Sequence, residues 1–110
     1  MPEPNENLLN KLQEIDEQYE SLQSQLLDPD VLTDHRKVRT LSVRRAAMAP
    51  IVEGYRAWNA TIKEMADLEE LLSSETDEDL LAMARTELPT LSERGNHLLE
   101  QLQQKLVMAD

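Results

Sequence analysis

The chain of 110 residues contains no cysteine, no phenylalanine, one tryptophan, two tyrosines and two glycines. Without cysteine there is neither a disulfide framework nor a thiolate metal site, and the usage suits a reducing compartment. With only Gly54 and Gly95, the chain has no glycine-rich phosphate loop and few routes to an oxyanion hole away from helix ends. The scarcity of aromatics removes the bulky residues that fill a compact globular core. Leucine, alanine, glutamate and glutamine dominate instead, the composition of long helices packed side by side around a thin core. No apolar run approaches the roughly 18 residues a membrane span requires. The acidic N-terminus "MPEPNENLLNKLQEIDEQYE" also lacks the pattern of a signal peptide. A soluble, cytoplasmic protein without membrane contact is expected.

Basic residues are also in deficit: 11 lysines and arginines face 22 acidic residues, for a formal net charge of −11. General phosphate affinity needs the opposite surplus, so the total argues against a simple nucleic-acid binder. The distribution matters more than the total. From His35 to Val52 the chain carries Arg36, Lys37, Arg39, Arg44 and Arg45 and no acid, whereas Glu64 to Asp79 holds eight acids and no base. The spacing does not put all five basic residues on one helix face. Their mutual repulsion calls either for acids of the first helix, such as Glu14, Glu17 or Glu20, or for an external anion.

Three helical segments follow from the periodicity. Leu8, Leu12, Ile15, Tyr19, Leu22 and Leu26 form a heptad stripe. It ends at "LLDPDVLTD", where Pro29 between two aspartates predicts a tight turn, so the first helix spans residues 5–27. The second, residues 33–72, starts at a Thr33 or Asp34 cap. Its stripe is weak through Val38, Leu41 and Met48, then strong through Ile51, Tyr55, Trp58, Ile62, Met65 and Leu72, with a change of register across Pro50. Proline and glycine in a helix interior cost roughly 3 and 1 kcal/mol relative to alanine. Pro50, Gly54, Tyr55 and Trp58 are therefore read as a structural joint at which the second helix is kinked or broken. "SSETDED" supplies the next break, with a capping box from Thr76 to Asp79. The third helix, residues 77–107, carries Ala84, Leu88, Leu91, Leu98, Leu102 and Leu106, and Pro89 within it predicts a kink rather than two helices.

Short connections make neighbouring helices antiparallel. The expected fold is all-α: an elongated antiparallel three-helix bundle or coiled-coil hairpin, forming a single domain over residues 1–110, with the three helices overlapping around Pro50 and an acidic hairpin tip beyond. No catalytic constellation is present. His35 and His97 are far apart, and neither has a second histidine three or four residues away, as zinc sites commonly do. The acids at Glu64, Asp67 and Glu75 to Asp79 lack EF-hand spacing and read as a solvated tip. No cofactor or metal is expected.

The order of these features is familiar. "LLDPDVLTDHRKVRTLSVRRAAMAPIVEGYRAWNATIKEMADLEELL" resembles the N-terminal helical domain of the bacterial peptide chain release factor 1 family. There a Leu-x-Asp-Pro turn leads into a basic helix and a Pro-Ile-Val-x-x-Tyr joint. "DEDLLAMARTELPTLSERGNHLLEQLQQKL" resembles that domain's following helix, with its Met-Ala-x-x-Glu-Leu pattern. Pro89 departs from the helix-favouring residues usual there. The resemblance implies a factor that enters the ribosomal A site at UAA or UAG and triggers hydrolysis of peptidyl-tRNA. It decodes with a Pro-x-Thr loop and catalyses with a Gly-Gly-Gln loop, both in later domains. Neither motif occurs in this chain. The resemblance thus implies a first domain that is not itself an enzyme. Its partners would be the ribosome, at the GTPase-associated centre and stalk base, and the remaining domains of the factor. The competing reading of the same stripes is a free-standing, self-associating coiled-coil protein, although two turns and a proline joint interrupt the long heptad array such an oligomer prefers.

Overall fold

The computed structural model describes residues 6–109, all helices and short connections, with no strand among the described residues. Helix α1 spans Glu6–Leu27, α2 Pro29–Leu32, α3 His35–Ser74 and α4 Glu78–Ala109. The expected start of the first helix at residue 5 and the last residue of the expected domain lie outside the described residues. The chain divides into two compact units, the first containing residues 6–53 with 104–109 and the second Gly54–Gln103.

The first unit is built on the α1 stripe. Leu12, Ile15 and Leu22 are buried, and Leu8, Tyr19 and Leu26 half-buried, as the heptad spacing predicts. Leu22 forms a cluster with Val31 and Leu41, flanked by Leu26, Val38 and Met48. Burying Leu22, Val31 and Leu41 contributes on the order of 1.5–3 kcal/mol each. The pairing is antiparallel: Leu26 and Val38 lie near the connection, and Gln23 meets Arg45 farther along.

Where a tight turn is expected, the connection contains a one-turn helix, α2. Asp28 caps it by accepting from the Asp30 N–H at 2.9 Å, and Pro29 sits in the first turn, where its missing N–H costs nothing. Thr33 Oγ1 closes the turn by donating to the Asp30 carbonyl, and the Asp34 carboxylate then accepts from the Lys37 N–H at 3.2 Å. Of the two expected caps of the next helix, Asp34 is the one used.

Helix α3 is continuous through Pro50, and α4 through Pro89. Proline removes the bond to the carbonyl four residues earlier. Here Pro50 and Ala46 are exposed, as are Pro89 and Arg85. Both lost bonds therefore fall on solvent sides, where water can satisfy the carbonyl. Pro50's own carbonyl accepts a hydrogen bond from Lys105 Nζ at 3.3 Å, within the first unit.

Burial follows the stripe on both sides of Pro50: Leu41 is buried and Met48 half-buried before it, and Ile51, Val52, Trp58, Thr61 and Met65 are buried after it. Met48, Ile51, Tyr55 and Trp58 keep a spacing of three, four and three, so burial crosses Pro50 without a break in the rhythm. In the second unit Leu81, Ala84, Gly95, Leu99 and Leu102 of α4 are buried. Leu81, Gly95 and Leu99 extend the predicted stripe, which passes through Gly95 without interruption. Thr61 is the one buried polar side chain among the described residues, and its hydroxyl donates to the Ala57 carbonyl at 2.9 Å. The connection between α3 and α4 is held by two carboxylates: Glu75 accepts from the Thr76 and Asp77 N–H groups, and Asp77 from those of Asp79 and Leu80. Asp77, not Thr76, is thus the cap of α4.

Candidate nucleic-acid interface

The basic run occupies the first three turns of α3. That helix has no acid in its first turn and begins with a cap at Asp34 followed by His35, Arg36, Lys37 and Arg39. A helix N-terminus carries a partial positive charge and favours anions, so three cations crowded there oppose the local field as well as one another. Arg36, Lys37, Arg39 and Arg44 are exposed. Among the described residues, none of these four side chains makes a hydrogen bond or ion pair, so the acids of α1 do not neutralise them.

Arg45 differs. Leu41, Arg45, Met48 and Val52 follow a four-three-four spacing, so Arg45 occupies the face turned to α1. It is half-buried, and its guanidinium donates to Gln23 Oε1 at 2.9 Å. Its partner is a neutral amide rather than an acid. The structure therefore separates the five candidates into four outward cations and one that braces α1 against α3. Arg36 and Arg39 lie on the face away from α1, which also bears Val43, 65% exposed. Lys37 and Arg44, seven residues apart, line one flank about 10 Å apart along the axis.

That flank borders an open groove between α1 and α3 of about 420 Å³, lined by Gln18, Ser21, Leu22, Gln25, Arg44 and Met48. The glutamines and serine carry no signal in sequence, because such residues are ordinary on the outer positions of a heptad helix. The joint residues are distributed differently: Pro50 is exposed, Gly54 and Tyr55 are half-buried, and Trp58 is buried. The Tyr55 and Trp58 rings stack, 6.4 Å between centroids and 17° between planes. This aromatic pair is part of the second unit's framework, and the division of the chain falls between Glu53 and Gly54. His35 and His97 are exposed. No helix among the described residues is long and apolar enough to cross a membrane.

What the outward cations offer is N–H donors and positive charge, the complement of phosphate oxygens.

The PCRF domain family model matches residues 15–110. Over 103 residues, 94% of this chain, the sequence is 33% identical to the Peptide chain release factor 1 of Dehalococcoides mccartyi, of which it covers 29%. The Peptide chain release factor 1 of Halalkalibacterium halodurans is 32% identical over the same share of each chain. That of Lactobacillus gasseri is 41% identical over 69 residues, 63% of this chain and 19% of the relative. The chain thus spans under a third of the length of the curated relatives it matches. No solved structure matches it.

Proposed function

The chain belongs to the PCRF domain family, and from that membership we propose that it is the non-catalytic ribosome-docking domain of a bacterial peptide chain release factor, acting in translation termination at UAA and UAG. Its partners are then the ribosome, at the GTPase-associated centre and stalk base of the large subunit, and the remaining domains of the factor. Its place is the cytoplasm. Stop-codon reading and peptidyl-tRNA hydrolysis belong to those other domains, since neither Pro-x-Thr nor Gly-Gly-Gln occurs here. The observation that carries the docking role is the outward set of Arg36, Lys37, Arg39 and Arg44, free of acid partners among the described residues, in a chain of net charge −11. Cations kept at the positive end of a helix lower local stability, so an external anion is the economical account of their presence.

The test compares the chain with its Arg36→Gln/Arg39→Gln and Lys37→Gln/Arg44→Gln variants for binding to purified ribosomes across a range of salt. Each lost phosphate contact reduces the slope of log affinity against log salt by about 0.9 on duplex-like RNA and about 0.7 on a single strand. Both variants bind more weakly and with shallower salt dependence, while Arg36→Gln/Arg39→Gln melts no lower than the parent. Unchanged slopes with intact folding overturn electrostatic docking. A variant that unfolds yet binds normally per folded molecule makes these residues structural.

A further inference from the structure

The groove beside Arg44 contains more chemistry than phosphate contact requires. Phosphate oxygens only accept, and donors alone would serve them. The groove instead combines the carboxamides of Gln18 and Gln25, which donate and accept, the Ser21 hydroxyl, the Arg44 guanidinium, and Leu22 and Met48 as apolar lining. Gln25 Nε2 donates to Ser21 Oγ at 3.3 Å, which orients that amide while leaving it capacity for a second partner. A planar heteroaromatic ring with donors and acceptors along one edge fits this set. At about 420 Å³ the groove is within the roughly 300–1,000 Å³ of small-ligand sites.

Charge orients such a ligand. The α3 edge is cationic, with Arg44 in the groove and Lys37 two turns before it. The α1 side is neutral at Gln18, Ser21 and Gln25, and Glu14, four residues before Gln18, is exposed on the same row. A phosphate is attracted to the first edge and repelled from the second. We infer that the groove seats one unpaired RNA base, its sugar-phosphate on the Lys37 and Arg44 side and its hydrogen-bonding edge toward Gln18 and Gln25. A base within an A-form helix fits it poorly: its pairing edge is occupied, the major groove is too deep and narrow for side chains, and the shallow minor groove is read mostly by shape and 2′-hydroxyls. Protein recognition of RNA sequence accordingly concentrates on single-stranded loops and bulges. The inference rests on the ribosome-docking reading and adds to it a second kind of contact, to a base.

The experiment footprints the 110-residue chain, at saturating concentration, on purified ribosomes with two sets of probes. Hydroxyl radicals read the sugar-phosphate backbone, and dimethyl sulfate with a carbodiimide reads the pairing edges of unpaired bases. The parent chain protects a stretch of backbone and at least one unpaired base beside it. Gln18→Ala with Gln25→Ala leaves the backbone protection in place at saturation and restores reactivity at that base. The concentration needed for binding rises by about tenfold, as expected for loss of a base-edge pair. Gln18 is exposed and Gln25 half-buried on α1, and an unchanged circular dichroism spectrum establishes the fold. Backbone protection without a protected unpaired base, or base protection that survives the double substitution, overturns the groove assignment and leaves docking intact. A protein side chain as the true occupant gives the first of these results. Absence of any protection overturns the docking reading, and the base contact with it.

Discussion

Replacing Pro50 by alanine tests how α3 accommodates a residue that should break it. A proline in a helix interior costs about 3 kcal/mol relative to alanine, through a lost hydrogen bond and a ring clash with the carbonyl four residues earlier. At this position the orphaned carbonyl belongs to Ala46, which is exposed, as Pro50 is. Water can occupy it, and the net value of restoring the peptide bond is then about 1 kcal/mol. Relief of the clash adds to this. Proline's restriction of the unfolded chain subtracts roughly 0.4–1 kcal/mol. Pro50→Ala is expected to stabilise the chain by about 1–2 kcal/mol, which for a domain near this size raises the melting temperature by roughly 5–10 °C. Urea titrations and thermal melts followed by far-ultraviolet circular dichroism measure the change. If Pro50 shapes the docking surface, the stabilised variant also binds ribosomes more weakly, so stability and affinity move in opposite directions. A variant less stable than the parent refutes the reasoning, because the Pro50 turn would then be a favourable conformation rather than a tolerated defect. Unchanged ribosome affinity would make the proline merely tolerated. Pro89→Ala is the control: Pro89 and Arg85 are likewise exposed, so it gains similar stability without loss of binding.

Leu102, 0% exposed, is buried in the second unit, and Leu102→Ala is expected to cost about 2–5 kcal/mol in urea unfolding, against less than about 0.5 for the exposed Val43→Ala. Asp77→Ala removes the cap of α4 and should cost about 1 kcal/mol, whereas Thr76→Ala should be nearly neutral; a larger effect at Thr76 would restore the capping box read from sequence.

Periodicity carried the reading of the long helices because the stripes are the core: Leu12, Leu22, Trp58 and Leu102 are buried where the heptads place them. The misses occur where one pattern encodes two structures. Asp28-Pro29 is a turn signature and equally a helix-start signature, aspartate at the cap and proline in the first turn. Burial of Val31 against Leu22 and Leu41 is what favours the short helix, and that is a long-range contact. At the other connection Thr76 fits a capping box, but aspartate is the stronger cap and Asp77 follows immediately, with Glu75 already holding the Thr76 N–H. The division of the basic run was legible in principle. Arg45 falls on the Leu41 to Val52 spacing, and only that spacing distinguishes it from Arg44. The groove was not legible, since Gln18 and Gln25 acquire meaning only when α3 places Arg44 and Met48 opposite them.

The outward cations are also the place where local and global preferences disagree. The caps and the core of the first unit agree with the fold: Asp34 caps α3, Asp28 caps α2, and the apolar positions meet in one cluster. A sequence selected for stability alone would put acids in the first turn of α3, where the helix dipole favours them. This one has Arg36 and Lys37 there, Arg39 directly after, and none of its 22 acidic residues between His35 and Val52. Such departures from local consistency concentrate at functional sites, because function is the constraint able to maintain them against a steady energetic cost. Net charge hides this. The interaction of exposed charges is largely screened beyond about 8 Å at physiological salt, so the face presented to a partner is governed by the residues within that radius rather than by the total of −11.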